Sequence, residues 1–168
     1  IVRWRPGQYY AYSNAGAGLA AYALELQTGQ RYEDFVAHNL FASLGMHHAT
    51  LTLDAATAAE LAHGYDADKT TRIPYWHMLY RSFGAINVTA ADMAPALMML
   101  LSRGRHAGEQ ILSAAAVARM ERSETTLAAR HGLKFGYGLG VYSWYVDGYR
   151  FFGHGGDGDG YLAHFGYN

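Results

Sequence analysis

The chain changes texture at one place, and that change restricts the folds open to it more than any other feature. Up to Gly132 the apolar residues recur at helical spacing between polar caps. After it come "FGYGLGVYSWYV", "YRFFGH" and "YLAHFGY", aromatic and β-branched runs joined by "DG" and by "GGDGDG". Such runs predict strands, and links this short predict antiparallel hairpins. A helical front with an antiparallel tail makes the chain α+β: a mostly helical region over 1–132 and antiparallel strands over 133–168, together one partial domain. A composition of 51% hydrophobic and 16% charged residues is that of a globular chain and not of a disordered one.

The helical part is punctuated by its own caps. Asn14 is placed to cap a helix running to about Gln27, with Gly29 as its left-handed end. In "RYEDFVAHNLFASLG" the residues Tyr32, Phe35, Val36, Leu40 and Leu44 keep near-helical spacing and Gly45 is the stop. "LDAATAAELA" predicts a short helix capped by Asp54, and "SAAAVARMERS" one capped by Ser113. In "NVTAADMAPALMMLLSRG", Thr89 and Asp92 stand at capping-box spacing and Gly104 closes the run. Pro95 fits best if that helix begins as late as Asp92, so that its missing N–H falls in the first turn.

Several function classes are excluded or unsupported. Thirteen basic against fourteen acidic residues leave a net charge of −1, so no basic face is available for nucleic acid or an anionic membrane surface. The absence of cysteine excludes a disulfide framework, a thiol nucleophile and a Cys-ligated zinc, without naming a compartment. The longest apolar run, Met93 to Leu101, is about half of a membrane span and is interrupted by Pro95. "GHGGDG" (Gly153 to Gly158) fits G-x-G-x-x-G, but that fingerprint needs a helix to follow and the next segment, "YLAHFGYN", predicts a strand. Asp157-Gly158-Asp159-Gly160 lacks the twelve-residue spacing of a calcium loop. Nine histidines form no H-E-x-x-H, H-x-H or helical i, i+4 pair, so no metal or other cofactor is expected. His47 and His48 are expected on a turn surface, and His63 and His131 as hydrogen-bonded structural residues. No serine lies in a G-x-S-x-G elbow.

Tyr12, Asn14 and His154 remain. Each alone has a structural reading: Asn14 an N-cap, Tyr12 one of 14 tyrosines, His154 a strand end before a turn. Together, Tyr12-Ser13-Asn14 resembles the Tyr-x-Asn signature of the penicillin-recognising serine hydrolases, which include class C β-lactamases, D,D-peptidases and related esterases. "RPGQYYAYSNAGAGLAAYALELQTGQRYEDFV" is similar to that signature's surroundings, and "FASLGMHHATLT" to the family's Leu-Gly-Met-x-x-Thr stretch. "GAINVTAADMAPALMMLL" is similar to its Gly-rich approach to a capped helix. "YGLGVY" followed by "GHGGDGDGYLAHFGY" resembles its last signature, Lys-Thr-Gly or, in esterase-like members, His-x-Gly. The resemblance covers nearly the whole chain and implies part of a β-lactamase/transpeptidase-like fold, the helical region and part of the antiparallel sheet.

What the resemblance implies chemically is acyl transfer through a serine. That reaction needs a nucleophile, a base, a donor for the leaving group and an oxyanion hole. Tyr12 would act as base or acid. An ordinary phenolate at pH 7 costs roughly 4 kcal/mol, so without nearby positive charge a tyrosine must work as a neutral proton shuttle. Asn14 would donate to the substrate's acyl-side amide or carbonyl. His154 would bind or polarise the substrate carboxylate or complete the proton relay. Gly155 and Gly156 would let the substrate approach the strand, and the N–H of Asp157 would be one oxyanion donor. A histidine where many members have lysine favours esters, amides or peptides over efficient β-lactam hydrolysis, because lysine is a permanent cation and histidine is not.

One departure is decisive. None of the serines at 13, 43, 82, 102, 113, 123 and 143 has lysine three positions later. The family's Ser-x-x-Lys lies upstream of Tyr-x-Asn, so the chain is expected to be a fragment. Its partners would be a missing N-terminal segment of the same protein and a small ester, amide or β-lactam substrate. The alternative is a non-catalytic homologue serving as a ligand- or protein-binding module. From their composition, the aromatics of "YWHMLY" (Tyr75 to Tyr80) and Trp144 are expected in the pocket walls.

Overall fold

Small oxygen-bearing side chains set the helix starts, because each accepts one of the N–H groups that a first turn leaves unpaired. Ser13 accepts from Gly16 N–H at 3.0 Å and opens α1 (Asn14–Thr28), which ends when Gly29, at φ 69°, donates its N–H to Glu25. The cap is therefore Ser13 and not Asn14: Ser13 holds the extended backbone that a cap requires, and Asn14 is already helical. Asp54 opens α3 (Ala55–Glu60) through Thr57, and Ser113 opens α5 (Ala114–Glu121) through Ala116. The computed structural model describes residues 4–5, 8–79, 81–84, 86–123, 131–132 and 136–168. Tyr80 lies outside them.

The described residues fall into two compact units. One combines Ser13–Ala96 with Gly156–Ala163; the other combines Ile1–Tyr12, Leu97–Gly155 and His164–Asn168. In the first unit α2 (Tyr32–Val36) runs into a π-helical turn, Ala37–Ala42. The wider turn rotates the following residues, so Phe41 joins Val36 and Leu44 in the core while Leu40 stays half-buried. Met46 and Leu51 complete that core. Thr50 and Asn87 exchange backbone hydrogen bonds of 2.9 and 2.8 Å. A short hairpin, β1 (Gly64–Tyr65) with β2 (Arg72–Ile73), packs Gly64 under the Tyr161 ring, and the Tyr161 hydroxyl donates to the Ala62 carbonyl at 2.7 Å.

The helix α4 (Ala90–Leu101) starts two residues earlier than Pro95 alone suggests. Thr89 Oγ1 accepts from Asp92 N–H at 3.0 Å and donates to Asp92 Oδ2 at 2.9 Å, and this reciprocal cap fixes the start at Ala90. Pro95 is thereby an interior residue and removes one ladder hydrogen bond. The same Asp92 Oδ2 is 3.2 Å from both the backbone N and the Nδ1 of His48, tying the turn before Thr50 to α4.

The second unit is built on a four-stranded antiparallel sheet in the order β5 (Gly136–Tyr137), β6 (Tyr142–Val146), β7 (Tyr149–Gly158), β8 (Tyr161–Tyr167), the tips of β7 and β8 being counted with the first unit. "GGDG" is not a loop, as its glycines suggest; it continues β7 to Gly158, and the reversal is confined to Asp159-Gly160. The register sets Tyr142 opposite Gly153 and Trp144 opposite Phe151. Trp144 stacks on Phe151 at 5.8 Å and lies edge-on to His164 at 5.2 Å. The core of this unit is Met99, Leu100, Val117, Val141 and Tyr167. A second short hairpin, β3 (Arg105–His106) with β4 (Glu109–Gln110), follows α4, and Arg103 pairs with Glu121 of α5.

Burial pushes the Asp92 carboxyl up, but the hydrogen bonds from Thr89 and His48 and the His48 charge outweigh it and hold it below the usual carboxylate range. A carboxylate with a depressed native pKa contributes stability above its unfolded value, near pH 4, and loses it as pH falls through the native value. The urea midpoint of Asp92→Ala is therefore expected to lie below that of the parent at pH 7. The two should converge as pH drops below about 4. An unchanged difference down to acid pH would show that the carboxylate charge is not what holds this junction.

Candidate active site

Four tyrosines and a histidine from four parts of the sheet unit converge on one cleft. Tyr10 and Tyr12 come from the segment ahead of α1, Tyr137 from β5, Tyr142 from β6 and His154 from β7; with Gly136 and Ser143 they line an open cavity of about 380 Å³. Tyr137 is central. Its ring is 5.7 Å from Tyr10, 6.0 Å from Tyr12 at 76°, and 5.8 Å from His154 at 87°. Offset and edge-on arrangements of this kind are the favoured ones for aromatic rings. Tyr12 and His154 stand 6.0 Å apart, and Tyr142 is 5.5 Å from His154.

Local backbone geometry holds these groups. Gly153 lies where β7 and β8 come close: a Cβ there would run into the Phe165 carbonyl, so no other residue keeps the strands in this register. His154 follows it. Just after β5, Gly138 donates to the Val141 carbonyl at 2.8 Å and Leu139 to the Met120 carbonyl at 2.9 Å, which ties the turn after Tyr137 to α5. Ser143 lies deeper, 3.2 Å from Arg150 Nη2 and 3.4 Å from Ser123 Oγ.

The electrostatics are those of phenols in a half-apolar wall. Burial, then the neighbouring Tyr12, Tyr10 and Tyr142, push the Tyr137 hydroxyl up to about 12. Burial and Tyr12 raise that of Tyr10. Tyr137 is thus a neutral donor throughout the physiological range. Its oxygen is 2.8 Å from His154 Nε2, while His154 Nδ1 faces the Gly155 carbonyl at 2.5 Å.

Of the residues singled out in the sequence, Tyr12 and His154 line this cleft, and Gly155 adjoins it through the carbonyl that faces His154 Nδ1. Asn14, Gly156 and Asp157 belong to the other unit: Asn14 is the exposed first residue of α1, and Gly156 and Asp157 are exposed on the tip of β7. The expected pocket walls differ. Trp144 packs between Phe151 and His164 instead of lining the cleft. Trp76 belongs to the first unit, where its Nε1 donates to the Asp159 carbonyl at 3.3 Å, and Tyr75 there accepts from Asn87 Nδ2 at 3.0 Å. Tyr10, Tyr137 and Tyr142 were not distinguishable among 14 tyrosines, although Tyr137 opens the "YGLG" run. His48, expected on a turn surface, is there, yet it also holds Asp92. Among the described residues no cluster of His, Asp and Glu is placed to hold a metal ion, and no helix is long and apolar enough to cross a membrane.

Comparison with known proteins adds an independent line. A sequence model of the family described as Beta-lactamase matches residues 2–168. Penicillin-binding protein 4 of Amycolatopsis lactamdurans is 29% identical over 171 residues, covering 95% of this chain and 44% of the relative. The octameric penicillin-binding protein homologue from Pyrococcus abyssi superposes with a TM-score of 0.78 at 25% identity, over 98% of this chain and 37% of that one. A D-alanine carboxypeptidase AmpC from Burkholderia cenocepacia gives 0.77 at 17% identity over 98% of this chain and 55% of that one. The chain thus spans less than half the length of the curated relative, and these likenesses show a partial β-lactamase/transpeptidase-like fold.

The glycines around the cleft separate two kinds of constraint. Gly138→Ala would drive a Cβ into the Met120 carbonyl and shift β5, and is expected to cost about 1–3 kcal/mol in denaturant unfolding and to alter the near-ultraviolet signal of the tyrosine cluster. Gly140→Ala meets open space at φ 78°, so it should cost about 1–2 kcal/mol of backbone strain and leave that signal intact. A normal tyrosine signal in Gly138→Ala would show that the β5 turn does not position Tyr137.

Proposed function

The chain belongs to the beta-lactamase family, and on that premise we propose that it forms part of a serine hydrolase acting through an acyl-enzyme on ester, amide or β-lactam substrates. The observation that carries this reading is the pairing of Tyr12 and His154, 142 positions apart in the chain, on one cleft with ring centres 6.0 Å apart. The names of the relatives, penicillin-binding proteins and a D-alanine carboxypeptidase, support acyl transfer as the reaction class.

The roles follow from the chemistry. A serine attacks the substrate carbonyl as its proton passes to the Tyr12 oxygen and the Tyr12 hydroxyl proton moves on to the departing leaving group, so the phenol stays neutral; a positioned acid–base group of this kind is worth about 10²–10⁴ in rate. Asn14, two residues after Tyr12 and at the start of α1, donates to the acyl-side amide or carbonyl. Asp157 N–H is one donor to the oxyanion, a contact worth about 10²–10³ in rate. Gly155 and Gly156 leave the strand open to close approach. His154 orients the substrate beside Tyr12. Since histidine is not a permanent cation, esters and neutral amides are favoured over β-lactams that present a carboxylate. The nucleophilic serine and its lysine come from outside residues 1–168, because no serine here has lysine three positions on.

The test is a serine-directed fluorophosphonate on the full-length protein, followed by intact-mass and peptide mapping. The expected result is one adduct on a serine outside this chain. Tyr12→Phe should then slow ester hydrolysis by about 10²–10⁴, and Asn14→Ala should act mainly on KM. A folded full-length protein that takes no label and hydrolyses no ester, amide or β-lactam would replace this reading with the non-catalytic one, a ligand- or protein-binding module.

A further inference from the structure

Both ring nitrogens of His154 are engaged, and the two partners decide which nitrogen carries the hydrogen. The Gly155 carbonyl can only accept, so the Nδ1 that faces it at 2.5 Å makes a hydrogen bond there only in the tautomer that carries the hydrogen on Nδ1. A neutral ring then presents a lone pair at Nε2, and the Tyr137 hydroxyl stands 2.8 Å from it. That phenol is kept neutral, pushed up to about 12 by burial and by Tyr12, Tyr10 and Tyr142, so its O–H is present across the working range of an enzyme.

We propose that Tyr137 is a positioning residue for His154, its O–H donating to Nε2 so that the imidazole is held in the Nδ1–H tautomer and in one plane. The proposal deepens the hydrolase reading and rests on it for its catalytic meaning. The contact with Gly155 is to the next residue in the chain and leaves the far edge of the ring unsecured. Tyr137 supplies the second fixed point from another strand. It is itself immobilised, packed on Tyr10 and Tyr12 and set on a β5 turn whose Leu139 N–H is tied to α5. Its ring meets the imidazole at 87°, with the hydroxyl oxygen 2.8 Å from Nε2.

The same arrangement serves both protonation states. When Nε2 gains a proton, it becomes the donor and the Tyr137 oxygen accepts, the phenol hydrogen turning away; no heavy atom has to move. Among the described residues, the titratable groups whose rings lie against the imidazole are phenols: Tyr12 ahead of α1, Tyr137 on β5 and Tyr142 on β6.

The experiment is nitrogen-15 imidazole NMR on the full-length protein above the histidine titration range, combined with kinetics. The expected spectrum shows His154 as a single Nδ1–H tautomer with an accepting Nε2. Tyr137→Phe keeps the ring and removes the hydroxyl. It should release the tautomer into a mixture and lower kcat/KM about tenfold, the scale of one neutral hydrogen bond. In a His154→Ala background the same change should cost less than about twofold, because the bond it removes is already gone. An Nε2–H tautomer in the parent overturns the proposal, as does an equal kinetic loss in both backgrounds. Should Tyr137→Phe not fold, the parent spectrum decides alone. A full-length protein that hydrolyses nothing would remove the hydrolase reading, whereas the tautomer would still decide the placement of His154.

Discussion

Gly153 is where β7 comes too close to β8 to carry a side chain, and the cleft depends on that approach. A Cβ at Gly153 would run into the Phe165 carbonyl of β8, and on its other side β7 sets the same Gly153 opposite Tyr142 of β6. The next residue, His154, is then delivered beside Tyr142 and within reach of Tyr137. The nearby aromatic layer, Trp144 on Phe151 and against His164, is the packing that this register allows. A backbone constraint at one small residue thus becomes the position of an imidazole.

The parts of the fold that were legible in the sequence are those whose cause is local. Asp54 and Ser113 cap helices because their oxygens reach N–H groups three residues on, and Thr89 with Asp92 does the same reciprocally. Even there, a neighbour can take the role, as Ser13 does from Asn14. The strands of the tail were legible as aromatic and β-branched runs. The π turn was not: a one-residue shift in helical phase is decided by what the helix packs against, and it brings in Phe41 where spacing favours Leu40.

The site divides along the same line. Tyr12 and His154 could be singled out because they stand in motifs, and the sheet unit puts them on one cleft. Tyr137 could not, since nothing in its own surroundings marks it among 14 tyrosines; its partner lies 17 positions away on another strand, and only the register reveals the pair. Trp144 misled for the converse reason. A large aromatic on a strand beside the site is as well suited to a packed layer as to a pocket wall, and here the layer has it.

Among the described residues, the cleft wall of Tyr10, Tyr12, Gly136, Tyr137, Tyr142, Ser143 and His154 contains no permanently ionised side chain. A site anchored by a lysine ammonium captures carboxylates with a strength that ionic strength erodes, since mobile ions screen the attraction over about 10 Å at 0.1 M salt. Phenols and an imidazole ring offer dipoles and ring faces, whose contact interactions salt hardly touches. Added salt therefore separates the contribution of this wall from that of any fixed charge elsewhere in the full-length protein: what survives is held by tyrosine, and what fades is held by ions.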